Sequence, residues 1–223
     1  MQTASDNLVV ETGREPVACI IWAHGLGADK HDFESIIPLM GLPDSLPLRF
    51  VFPNAPVRPI TVNGGMEMRG WYDIRSMTIN EKEDAEGVKG SANTLAGLIE
   101  EQIRMGISST RIVLAGFSQG GAIALYQGLQ HPQQLAGIIV LSAYLPLHNT
   151  VDEIASVFAS STPVFMGHGS QDPIVPVELG LFTRDLLLER KMSVQWTVYP
   201  MGHSVSAEEI SDLGSWLVEL LRK

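Results

Sequence analysis

Six short apolar runs punctuate the chain, at residues 18–23, 48–52, 112–115, 137–141, 163–166 and 194–199. Most are almost continuously apolar instead of alternating with polar residues. That is the pattern of strands covered on both faces, as in a parallel sheet sandwiched between helices. Helical periodicity fills the gaps between runs. In residues 83–105, Val88, Ala92, Leu95, Ile99 and Ile103 recur at three- and four-residue spacing and predict one apolar face, although Gly87, Gly90 and Gly97 weaken it. Near the C-terminus, Ser206-Ala207-Glu208-Glu209 has the form of a capping box. Ile210, Leu213, Leu217 and Leu220 make one face after it, and Arg222 and Lys223 suit the negative end of that helix. Strands alternating with helices predict one α/β domain over residues 1–223, with a mostly parallel central sheet and helices on both faces.

With 223 residues, 45% of them hydrophobic and 18% charged, the chain can bury a sizeable core and is not an extended disordered polymer. Twenty-five acidic against fifteen basic residues give a net charge of −10, which argues against a nucleic-acid partner and against a polybasic membrane anchor. No apolar run approaches the roughly 18 residues of a membrane span, so no stable membrane insertion is expected. Residues 1–6 lack the basic and apolar regions of a signal peptide, and a cytoplasmic location is expected. Cys19 is the only cysteine, which excludes an internal disulfide and a multi-cysteine metal site. Its apolar surroundings predict a buried, inert thiol. His24, Asp29, His31 and Asp32 lie close in sequence but lack the spacing of a metal-binding helix, so they read as loop charges and no metal is expected.

Residues 53–78 fit neither pattern. They carry Pro53, Pro56 and Pro59, then Asn63-Gly64, a tight-hairpin signal. Met66, Met68, Trp71 and Tyr72 in this excursion suit an apolar surface, either the wall of a pocket or a seal over the core.

The sharpest motif is Gly116-Phe117-Ser118-Gln119-Gly120, which follows the run Ile112-Val113-Leu114-Ala115 and opens an apolar helical stretch at Ala122. A serine on a tight turn between strand and helix is a nucleophile elbow, presenting its hydroxyl at the C-terminal edge of a sheet. Glycines two before and two after it remove side chains that would collide there. In this arrangement the acid and then the base follow the serine in the chain. Of the histidines after Ser118, His131 precedes Pro132 at a helix end, His148 lies in a polar loop, and His168 follows a strand where the acid is expected. His203 stands between the last strand and the last helix, where a loop can lower its imidazole onto the elbow as general base. Asp172, after the penultimate strand, is the acid that orients it. The oxyanion donors are expected to be the backbone N–H of Gln119 and, from His24-Gly25-Leu26-Gly27, that of Leu26.

These strings resemble the bacterial carboxylesterase/acyl-protein-thioesterase branch of the α/β-hydrolases. The resemblance rests on Ile21-Trp22-Ala23-His24-Gly25-Leu26-Gly27-Ala28-Asp29, Asn63-Gly64-Gly65, Trp71-Tyr72-Asp73-Ile74, Ala115-Gly116-Phe117-Ser118-Gln119-Gly120-Gly121-Ala122 and Tyr199-Pro200-Met201-Gly202-His203. It implies the α/β-hydrolase fold, a Ser118, Asp172 and His203 triad, Leu26 and Gln119 as oxyanion donors, no cofactor, and in several members a homodimer. The loop Asn63-Gly64-Gly65-Met66-Glu67-Met68 is similar to bacterial esterases more than to eukaryotic protein thioesterases. The expected activity is a serine carboxylesterase acting on short- to medium-chain esters. The alternatives are an acyl thioesterase or lysophospholipase, acting on a small-molecule ester or thioester, and, from another class, a catalytically silent binding module. About 20 residues separate Ser142 from Pro163, with a helix expected over 151–160, too few for a cap domain. An open cleft is therefore expected, walled by the excursion with Met66 and Trp71, by Tyr144 and Leu145, and by Ile174 and Val175.

Overall fold

The computed structural model describes residues 7–76 and 81–222. Residues 1–6, the end of the expected excursion at Met77 and Thr78, and Lys223 lie outside the described residues. The strands are β1 (Leu8–Glu11), β2 (Ala18–Ala23), β3 (Leu48–Phe52), β4 (Val57–Ile60), β5 (Met66–Arg69), β6 (Ile112–Phe117), β7 (Gly137–Leu141), β8 (Val164–Gly169) and β9 (Val194–Tyr199). The helices are α1 (Ala85–Arg104), α2 (Gln119–Gln130), α3 (Val151–Ile154), α4 (Val177–Glu189) and α5 (Ala207–Leu221).

Seven strands form one sheet in the order β1-β3-β2-β6-β7-β8-β9. Only β1 runs antiparallel, against β3; the remaining pairs are parallel. The continuous apolar runs follow from burial on both sides. Cys19, Ile21 and Ala23 of β2 pack under α1 and α2, while Ala18, Ile20 and Trp22 pack under α5 and the short helical segment Glu34–Met40. α1 turns Val88, Ala92, Leu95 and Ile99 inward at the expected spacing. α2 is buried around its whole circumference from Gln119 to Leu129, as befits a helix wedged between the sheet and its neighbours.

Four elements differ from the sequence expectation. β6 and β8 run on to Phe117 and Gly169, so His168 belongs to the strand and does not follow it. β1, with only Leu8 and Val10 turned toward the core, is too short to stand out from its surroundings. The helix expected over 151–160 shrinks to the four residues of α3, flanked by helical turns at His148–Thr150 and Ala159–Ser161. No cap domain separates β7 from β8. The excursion after β3 forms a separate hairpin, β4 paired with β5, joined through Thr61–Asn63 and two left-handed glycines, Gly64 and Gly65. At α5, Ser206 Oγ accepts the N–H of Glu209 at 3.1 Å, the capping half of the expected box. No helix among the described residues is long and apolar enough to cross a membrane.

Candidate active site

Ser118 sits between β6 and α2 with φ 54° and ψ −123°, a backbone conformation that L side chains rarely adopt. Its N–H donates to Leu141 O at 2.8 Å, tying the turn to β7. The flanking glycines are required by contact. A Cβ at Gly116 would strike the backbone of Gly120, and one at Gly120 would strike the carbonyls of Ala23 and His24. The motif thus lets the turn close on itself and presses α2 against the end of β2.

The loops after β8 and β9 complete a hydrogen-bonded chain. Ser118 Oγ lies 2.9 Å from His203 Nε2, and His203 Nδ1 lies 2.7 Å from Asp172 Oδ2. A carboxylate only accepts, so Nδ1 carries the proton and Nε2 is left to receive one from the serine. Asp172 Oδ1 accepts the N–H groups of Ile174 and Val175 at 2.8 and 2.9 Å, which fixes the carboxylate plane. His168 stands behind it, with Nε2 3.7 Å from Asp172 Oδ2 and donating to Val175 O at 2.8 Å. Burial pulls the His168 pKa down, so its ring is neutral and does not take the carboxylate from His203.

On the other side of Ser118, Leu26 sits in the loop after β2, and Gly27 beside it has φ 78°. The N–H groups of Leu26 and Gln119 donate to no acceptor among the described residues. A web of side chains holds this region. His24 Nε2 accepts from Ala55 N at 3.0 Å, so its Nδ1–H donates to Gly25 O at 2.7 Å. Trp71 Nε1 donates to His24 O at 2.8 Å. The Gln119 side chain accepts from Trp71 N and donates to Tyr72 O, each at 2.7 Å, stapling the excursion to the elbow. Ser91 of α1 closes the web by donating to Trp71 O.

A cavity of about 420 Å³ opens beside Ser118 and His203, a size that suits a small ligand. Tyr144, Ile174 and Val175 line it, together with Leu26, Phe117 and Tyr72. Three expected wall residues lie elsewhere. Met66 is 63% exposed on the outer hairpin, because β5 pairs only with β4. Trp71 is fully buried and braces the loop at His24. Leu145 is buried in the core, its N–H bound to Thr183 Oγ1 at 3.0 Å. The contacts of His24, His168 and the Gln119 side chain leave no signal in the sequence, since each acts through a partner that no motif spacing reveals. Of the histidines near β2 in the sequence, His24 turns inward, while His31 is exposed beside Glu34 at 3.1 Å. Cys19 is fully buried, and burial pushes its thiol pKa up to about 12.

The family model described as "Phospholipase/Carboxylesterase" matches residues 4–221. The chain belongs to this family. Among its curated relatives, acyl-protein thioesterase 1 of Neurospora crassa is 41% identical over 97% of this chain and 92% of its own length. Acyl-protein thioesterase 1 of Cryptococcus neoformans is 33% identical over the full length of both chains. Among solved structures, SOBER1 of Arabidopsis thaliana superposes with a TM-score of 0.85 at 29% identity, covering 92% of this chain and 99% of its own. Acyl-protein thioesterase 2 of Zea mays gives 0.83 at 27% identity, covering 96% and 98%. This member of the phospholipase/carboxylesterase family is a serine hydrolase with the α/β-hydrolase fold. The expected membership of the carboxylesterase/acyl-protein-thioesterase branch holds, and the relatives named as thioesterases back the thioesterase alternative better than the plain carboxylesterase reading.

Proposed function

We propose that the protein hydrolyses acyl thioesters through an acyl-enzyme on Ser118. The observation that carries this reading is the unbroken chain from Ser118 Oγ through His203 to Asp172, set at the wall of a cavity. Ser118 Oγ attacks the thioester carbonyl as its proton passes to His203 Nε2. The carbonyl oxygen gains negative charge, which the N–H groups of Leu26 and Gln119 are suited to receive. Asp172 offsets the charge on the imidazolium. Collapse breaks the carbon–sulfur bond, the departing thiolate takes the proton from His203, and the acyl group stays on Ser118. A water molecule then attacks the acyl carbonyl with His203 as base, releasing the carboxylic acid and regenerating the serine. Relatives named acyl-protein thioesterase support the thioester substrate.

The same machinery accepts an oxygen ester, the second reading, favoured by the family's description. An alkoxide leaves less readily than a thiolate and depends more on the proton from His203. Matched octanoyl thioester and octanoyl ester substrates separate the two. A higher kcat/KM for the thioester is expected, with both activities lost in Ser118→Ala. Turnover of the ester alone would establish the carboxylesterase reading, and turnover of both in Ser118→Ala would overturn the mechanism.

A further inference from the structure

Tyr72 and Tyr144 meet hydroxyl to hydroxyl at 3.2 Å in the wall of the cavity that Ser118 shares. They reach it from different loops. Tyr72 comes from the excursion, its carbonyl held by the Gln119 side chain, and Tyr144 from the loop after β7. Two phenols bring two hydroxyl hydrogens. Their mutual bond uses one, and the other has no acceptor among the described residues. Glu83 is the nearby carboxylate that acts on both phenols, but its Oε1 already accepts Leu147 N at 2.9 Å, and neither phenol is hydrogen-bonded to it. Burial raises the pKa of both rings, so both remain protonated donors.

A methylene chain lying against this pair would strip water from a donor and give nothing in return, whereas an acceptor oxygen would restore the lost bond. We propose that the Tyr72–Tyr144 pair is a substrate subsite that donates a hydrogen bond to an ether, carbonyl or hydroxyl oxygen placed beyond the scissile carbonyl, so that oxygenated chains are preferred to plain hydrocarbon chains. The inference rests on the hydrolase reading above and adds a substrate class to it.

The test compares isosteric substrates in wild type and in the Tyr72→Phe/Tyr144→Phe double variant. In one arm an oxygen replaces successive methylenes in the acyl chain of p-nitrophenyl hexanoate. In the other it replaces a methylene in the alcohol, as 2-methoxyethyl hexanoate against butyl hexanoate. The quantity read is the ratio of kcat/KM for the oxygenated and plain substrates, divided by the same ratio in the double variant, which cancels their intrinsic reactivities. In one arm, at one oxygen position, this quotient is expected to reach about three- to tenfold, the worth of one hydrogen bond. A quotient near one at every position of both arms, with hydrolysis intact, overturns the subsite alone. Failure of wild-type enzyme to hydrolyse any ester or thioester overturns the hydrolase reading and the subsite with it.

Discussion

The two loops that converge on Ser118 are held by different parts of the fold. The acid loop is tied by its own residues and by the end of the neighbouring strand: Asp172 bonds Ile174 and Val175, two and three residues on, His168 reaches Val175 seven residues on, and Ser170 N and Gln171 N donate to Tyr199 O and Met201 O. The oxyanion loop is tied across the fold: His24 to Ala55 over 31 residues, Trp71 to His24 over 47, and Gln119 to Trp71 over 48. A loop braced by its own residues and by the adjacent strand end holds its geometry without the excursion. A loop braced through Trp71 and Ala55 inherits its geometry from the excursion that packs against the elbow. The charge-orienting half of the site is therefore expected to tolerate changes in the excursion, and the oxyanion half to feel them.

Breaking the acid loop at its centre gives the largest expected effect. Asp172→Asn removes the charge that offsets the imidazolium and presents a donor to the Nδ1–H of His203. A fall in kcat of about 10³- to 10⁴-fold is expected with the fold retained, as seen by steady-state kinetics and circular dichroism. A loss below tenfold would remove Asp172 from this role. Breaking the long-range staple comes next. Gln119→Met keeps the volume but leaves Trp71 N–H and Tyr72 C=O unpaired, so the region around Leu26 loosens. A kcat loss on the order of 10- to 100-fold with a lowered melting temperature is expected, and unchanged kcat would dissolve the comparison.

The smallest effect lies beside the acid loop and is read in stability. Glu209 is fully buried, packed so closely on Gly167 of β8 that a Cβ there would collide with it, and its carboxyl oxygens have no hydrogen-bond partner among the described residues. Burial raises its pKa from 4.5 to about 8. Below the lower value both folded and unfolded chains hold the proton and nothing is lost. Between the two values the folded protein keeps a proton that the unfolded chain has released, so stability falls as pH rises, by about 1.4 kcal/mol per pH unit for this group. Glu209→Gln is expected to raise the melting temperature at pH 8 and to change it little at pH 4. Parallel melting curves across that range would show that Glu209 is ionised in the fold.

The contrast also explains what could be read from the sequence. Parallel strands buried on both faces announce themselves as apolar runs, and the elbow announces itself because Gly116 and Gly120 are forced by backbone contact. Chain order and the ends of β8 and β9 pointed to Asp172 and His203 as the proposed acid and base. His24, the Gln119 side chain and the Tyr72–Tyr144 pair were not legible, because each depends on a partner tens of residues away. The same cause misplaced Met66, Trp71 and Leu145. Their apolarity was visible, but which surface each one covers was decided by how the excursion folds back for Met66 and Trp71 and by how the loop after β7 packs on α4 for Leu145.

Ser118 is the proposed nucleophile, and covalent labelling tests that role independently of the substrate. The purified protein is treated with a fluorophosphonate and examined by intact mass and peptide mapping. One adduct per chain on the peptide bearing Ser118, absent from Ser118→Ala, is the result expected. Labelling of Ser118→Ala to the wild-type extent, or an adduct mapped to another residue of the wild type, would contradict it.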